Sequence, residues 1–64
     1  MNIIGMRQEK RAREIAQIKV SIKKAKKPYD KARIVLAAMS ALNLSKRTAK
    51  EYVDVALYEL GIDL

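Results

Sequence analysis

The chain has no cysteine and no histidine, and its 64 residues include one proline and two glycines. No disulfide can form, and the commoner zinc sites, built from Cys and His, are excluded. Trp and Phe are also missing, leaving three Tyr as the only aromatics. A domain this small buries only roughly 60% of the surface its unfolded chain exposes. With a thin core and no covalent or metal staple, association with another copy is the remaining route to stability, so a homodimer is expected. Secreted domains of this size are usually disulfide-rich, which points to the cytoplasm. "MNIIGMR" is too short and too interrupted for a signal peptide. The longest apolar run, Ile34 to Met39, falls far below the roughly 20 residues that span a bilayer, so no membrane association is expected.

The same absences argue against catalysis. Without His or Cys, the usual general base and the usual nucleophile activator are both missing. The carboxylates Glu9, Glu14, Asp30, Glu51, Asp54, Glu59 and Asp63 are scattered among basic residues, and Gly5 and Gly61 stand alone rather than in a phosphate-cradling loop. We expect no enzyme, no cofactor, no metal and no small-molecule substrate.

What the chain does have is positive charge, unevenly spread. Fourteen Lys and Arg face seven Asp and Glu, for a net +7. Residues 1–27 hold nine basic and two acidic side chains, and residues 28–64 hold five of each. The whole net charge therefore lies on the first segment. Such asymmetry indicates a polyanionic partner, nucleic acid before an anionic membrane surface. The competing reading is a solvated helix face in a Lys-rich, Ile-rich protein, as in thermophiles.

Hydrophobic spacing predicts an all-α chain of three helices, over about residues 6–26, 29–42 and 45–60, forming one domain of residues 1–64. Within it, 1–27 is a basic helix and 28–64 a helical pair. In the first helix Ile4, Gln8, Arg11, Ile15, Ile18, Ile22 and Ala25 step by four and three, a narrow heptad seam. The shorter later helices would not cover it fully, so Ile15, Ile18 and Ile22 are candidates for contact with a second copy. Pro28 suits the first turn of the next helix, with Asp30 behind it. That second helix is apolar on nearly every side, from Ile34 to Leu42, which predicts a central, buried position. The third buries Ala49, Val53, Ala56, Leu57 and Leu60 on one face. Val55, Tyr58 and Ile62 form a weaker second strip, a further candidate oligomer contact.

Only Asn43 and Leu44 separate the second and third helices. Asn tolerates the left-handed backbone that ends many helices. Ser45 is a strong N-cap, although Thr48 to Glu51 also has capping-box spacing. Two helices joined this tightly have helix-turn-helix spacing. The run Leu44–Ser45–Lys46–Arg47–Thr48–Ala49–Lys50–Glu51–Tyr52–Val53 resembles the start of the reading helix in helix-turn-helix DNA-binding domains, in the simple three-helix members and wingless relatives of the winged ones. The resemblance spans about Ile34 to Leu60. Asn43 stands where glycine is usual, and the sequence ends at Gly61–Leu64, where a winged member begins its β-wing, so no wing contacts are carried over.

The resemblance implies that the third helix enters the major groove of duplex DNA by its N-terminal end. Arg47 would then read guanine through a two-pronged contact. Ser45 and Thr48 would bind a phosphate oxygen or a base edge, and Lys46 and Lys50 would anchor phosphates. Independently of it, Lys19, Lys23, Lys24, Lys26 and Lys27 on the basic helix are candidate phosphate contacts that carry no sequence information. The expected function is a DNA-binding transcriptional regulator or accessory factor, cytoplasmic and nucleoid-associated. The alternative is a helical oligomerisation or protein-interaction module whose basic face is incidental. An amphipathic membrane-surface helix is disfavoured, because the seam lacks Trp, Phe and Leu.

Overall fold

The computed structural model describes the backbone of residues 3–25 and 27–63 and the side chains of 8–25 and 27–63. The described residues are all-α, with no strand: α1 spans Ile3–Lys24, α2 Lys31–Leu42 and α3 Lys46–Leu60. None of these helices is long and apolar enough to cross a membrane. The molecule is a short rod, 43 × 22 × 17 Å.

Local chemistry sets each boundary. The second helix starts at Lys31, two residues later than its spacing predicts. Asp30 is not in its first turn but caps it from outside, in extended conformation, accepting from the Ala32 N–H at 3.0 Å. The carboxylate satisfies a donor that the helix itself cannot, so Pro28 and Tyr29 stay in the link. At its end Asn43 adopts the left-handed conformation, φ 54°. Asn43 and Leu44 both donate their N–H groups to the Met39 carbonyl. Gly61 ends α3 in the same way, at φ 72°, with the Ile62 N–H donating to the Leu57 carbonyl at 2.9 Å. In each motif the residue after the left-handed one is apolar and folds back onto the core, which is the hydrophobic contact that usually accompanies this ending.

Packing corrects the expectation that α2 is the central helix. α3 packs extensively on both α1 and α2, while those two barely touch. The reason is side-chain size. Ala49, Val53 and Ala56 have no exposed surface, and the two alanines let α1 and α2 both close on α3. Ile15, Ile18 and Ile22 fill the α1 side and are buried within the single chain, not left open to a second copy. Of the apolar belt of α2, only Val35 and Ala38 are buried, and Leu36 is 62% exposed. The strip expected from Val55, Tyr58 and Ile62 is divided. Val55 and Ile62 pack against the core, and Tyr58 alone stands out, 85% exposed.

The ion pair Lys19–Glu59 and the Arg11 guanidinium lying 5.7 Å over the Tyr52 ring show that α1 and α3 run parallel, residue for residue about 40 apart. Lys31–Asp54, with Met39 and Leu36 lining one trough with Lys46 and Lys50, makes α2 antiparallel to α3.

Ile22 is 1% exposed, one of the two largest fully buried side chains. Ile22→Ala should cost about 2–5 kcal/mol, against a total of order 3–10 kcal/mol for a chain of this length. Leu36→Ala should cost under about 0.5 kcal/mol. Urea titrations followed by helical circular dichroism test the contrast; equal midpoints for the two variants would contradict the packing described here.

Candidate nucleic-acid interface

A three-residue link, Asn43–Leu44–Ser45, turns the chain from α2 into α3. Ser45 is the N-cap. Its Oγ accepts from the Thr48 N–H at 3.2 Å and donates to Thr48 Oγ1 at 3.0 Å. One hydroxyl thus holds both the backbone and the side chain of the first turn. The alternative start at Thr48 is ruled out, since Thr48 already lies inside the helix. Ser45 is exposed and Thr48 half-buried, so of these two candidates only Ser45 presents itself fully to solvent.

Lys46, Arg47 and Lys50 are exposed. Among the described residues the only ion pairs are Lys19–Glu59 and Lys31–Asp54, and neither engages this tip. Glu51 does not close on Arg47. The three cations therefore surround the free N–H groups of a helix start with their charge unspent, an arrangement that attracts anions. Asp54, one of three exposed acidic groups on α3, is offset by Lys31 on α2, so it opposes an approaching phosphate less than its position suggests.

The sequence reading missed Lys31 and Leu36. With Val35 and Met39 they form the floor and side of a shallow trough whose other rim is Lys46 and Lys50. The cationic tip is thus bordered by apolar surface from α2. The apolar belt of α2 was the available signal, but its outward part was assigned to the core.

The phosphate candidates of α1 do not gather at the tip. Lys19 is half-buried and committed to Glu59 at 2.5 Å. Lys26 lies outside the described residues. Lys23, Lys24 and Lys27 are exposed, but the parallel register of α1 and α3 carries them to the other end of the rod. At about 1.5 Å per helical residue they lie roughly 25 Å from Lys46 along the axis. Among the described side chains of α1, Lys10 is the cation level with the tip, beside Lys50, and Arg11 and Arg13 follow just beyond it, all exposed. The molecule has two cationic ends rather than one cationic face.

No protein-family model, curated protein or solved structure matches the chain. Its chemistry must be read from these side chains alone.

Because Ser45 caps through its side chain, Ser45→Ala should lower stability by about 1 kcal/mol, while Ser45→Gly should cost only a few tenths. Urea midpoints measure both. An alanine variant with the wild-type midpoint would show that the cap contributes little.

Proposed function

We propose that the chain is a small duplex-DNA-binding protein in which α2, the Asn43–Ser45 link and α3 form a helix-turn-helix. In this reading the N-terminal turn of α3 enters the major groove and the protein serves as a transcriptional regulator or accessory factor on the cytoplasmic nucleoid, as a homodimer. The observation that carries it is the exposed, unpaired Lys46–Arg47–Lys50 cluster at a capped helix start. Arg47 is on the face of α3 turned away from both neighbours and supplies the base contact. Lys46 and Lys50 anchor phosphates, with Lys10 the nearest described cation on α1. The lack of Trp and Phe argues for duplex over single strands, which are usually gripped by stacking.

The exposed Leu36 and its trough favour a second reading, a helical protein-interaction module. Salt separates the two. Binding through phosphates should weaken linearly in log salt, with a slope near −0.9 per contact. In mobility-shift titrations, Lys46→Gln and Lys50→Gln should weaken all duplexes alike and each reduce the slope by about 1. Arg47→Ala should cost about 1–3 kcal/mol on a selected duplex and relax preference at one base pair. No shift of any duplex at low salt would refute DNA binding and favour the module.

A further inference from the structure

The trough between α2 and α3 has a volume of about 460 Å³ and an apolar floor of Val35, Leu36 and Met39. Val35 is buried and Met39 half-buried, but Leu36 is 62% exposed, so part of the floor stays open to water. Both rims are cationic, with Lys31 on α2 and Lys46 and Lys50 on α3, and no acidic side chain lines the trough among the described residues. The three lysines are unequal. Lys31 is paired with Asp54 and follows the cap residue Asp30 in the chain. Lys46 and Lys50 have no ion pair among the described residues. Because α2 runs antiparallel to α3, positive charge is offset at the Lys31 end of the trough and free at the Lys46 end.

This combination of floor and rim selects a partner. A phosphate backbone satisfies the lysines but leaves Leu36 in water. An uncharged apolar segment covers Leu36 but takes water from the ammonium groups and returns nothing. A second copy of this chain brings a net +7 against a lysine rim. A segment that is apolar on one face and acidic on its flanks meets both requirements. The trough lies between two helices, and Val35 and Met39 stand one turn apart on its floor. An amphipathic helix presents apolar side chains at that same spacing.

We propose that the trough docks an acidic amphipathic helix of another protein, with its apolar face on Val35, Leu36 and Met39 and its carboxylates on Lys46 and Lys50. The docking stands on the trough alone. Its consequence rests on the DNA reading above: helix and duplex share Lys46 and Lys50, so each excludes the other, and the docked helix releases the duplex.

The probe is a fluorescein-labelled synthetic helix with Leu at i, i+3, i+4 and i+7 and Glu at the remaining positions, followed by anisotropy at low salt. It should saturate, and a peptide of the same composition with its leucines scattered around the helix should bind at least tenfold more weakly. Leu36→Ala should weaken the probe at least tenfold with helical circular dichroism unchanged, since Leu36 is exposed. Lys50→Gln should weaken it several-fold, and Lys23→Gln, at the far end of the rod, should change it little. Ala37 lines a separate cleft between α1 and α2, and Ala37→Glu should leave the affinity as it is. Unlabelled probe should release a bound duplex from the wild type and far less of it from Leu36→Ala. Equal affinity for the scattered peptide, or a loss on Ala37→Glu that Leu36→Ala does not share, would overturn the docking. So would self-association of the free protein that Leu36→Ala abolishes, since a second copy would then fill the trough. A duplex that stays bound as the probe saturates would overturn the sharing of the two lysines. A protein that binds the probe and shifts no duplex keeps the trough and removes the DNA reading. One that shifts duplexes and ignores the probe does the reverse.

Discussion

The contact of α1 with α3 is the constraint from which the rest of the molecule follows. Ile15, Ile18 and Ile22 close on a strip of α3 in which Ala49, Val53 and Ala56 keep no exposed surface. Large side chains on one helix fit small ones on the other, so the axes approach and water is excluded from both. This contact holds most of the large buried side chains of a thin core. It also sets a parallel register, marked on its edges by Arg11 over Tyr52 and Lys19 beside Glu59. These edge pairs are exposed or half-exposed and contribute little energy, at most about 1 kcal/mol each. They follow the register rather than cause it.

The register in turn distributes the charge. On paper the basic residues of the first segment and those of the third helix look like parts of one patch. In a parallel pair the start of α3 lies beside the early turns of α1, and the lysines that end α1 are carried past the end of α3. Lys19 is used up on the way by Glu59. Two separate cationic ends result, each with its own geometry. One is a helix start with free backbone N–H groups. The other is a helix end, where Lys23 and Lys24 also offset the negative pole of α1. The two are chemically unequal. At the helix start, backbone donors and side chains act on the same anion; at the helix end, the lysines act alone.

Features encoded by neighbours in the chain were legible in the sequence. The left-handed Asn43 and Gly61, the Ser45 cap and the end of α2 each depend on a few adjacent residues. The spacing of the isoleucines marked the apolar face of α1, but that face is covered by α3 and not by a second copy. What was misjudged depends on which helices meet. An apolar α2 looked central because periodicity reports how much apolar surface a helix has, not which neighbour covers it. α3 took that place because Ala49 and Ala56 make room for two partners, a property of size rather than hydrophobicity. Ile62 looked like part of a docking strip, yet it is the fold-back contact of the Gly61 ending. Asp30 and Pro28 both suited a helix start, and the residue able to accept from the Ala32 N–H became the cap. At the candidate site, the tip cations were visible. Lys31 offsetting Asp54, and Leu36 bordering the tip, were not, because both depend on α2 running antiparallel beside α3.

The surplus apolar surface of α2 and the surplus charge of the first segment are complementary demands. A small chain with +7 cannot easily hide more apolar area by self-association, since most of its surface repels a copy. It also cannot enlarge its own core, because three helices of this length enclose little volume. Segregation eases both demands. Among the described residues most cations lie at the two ends of the rod and on the outer turns of α1, and Arg33 alone of them lines the cleft between α1 and α2. Removing the lysines from the tip would leave a helix start that draws anions through its backbone alone. The apolar belt of α2 is thus only partly covered within the chain, with Leu36 62% exposed, and the cations at the start of α3 border it without an ion pair among the described residues.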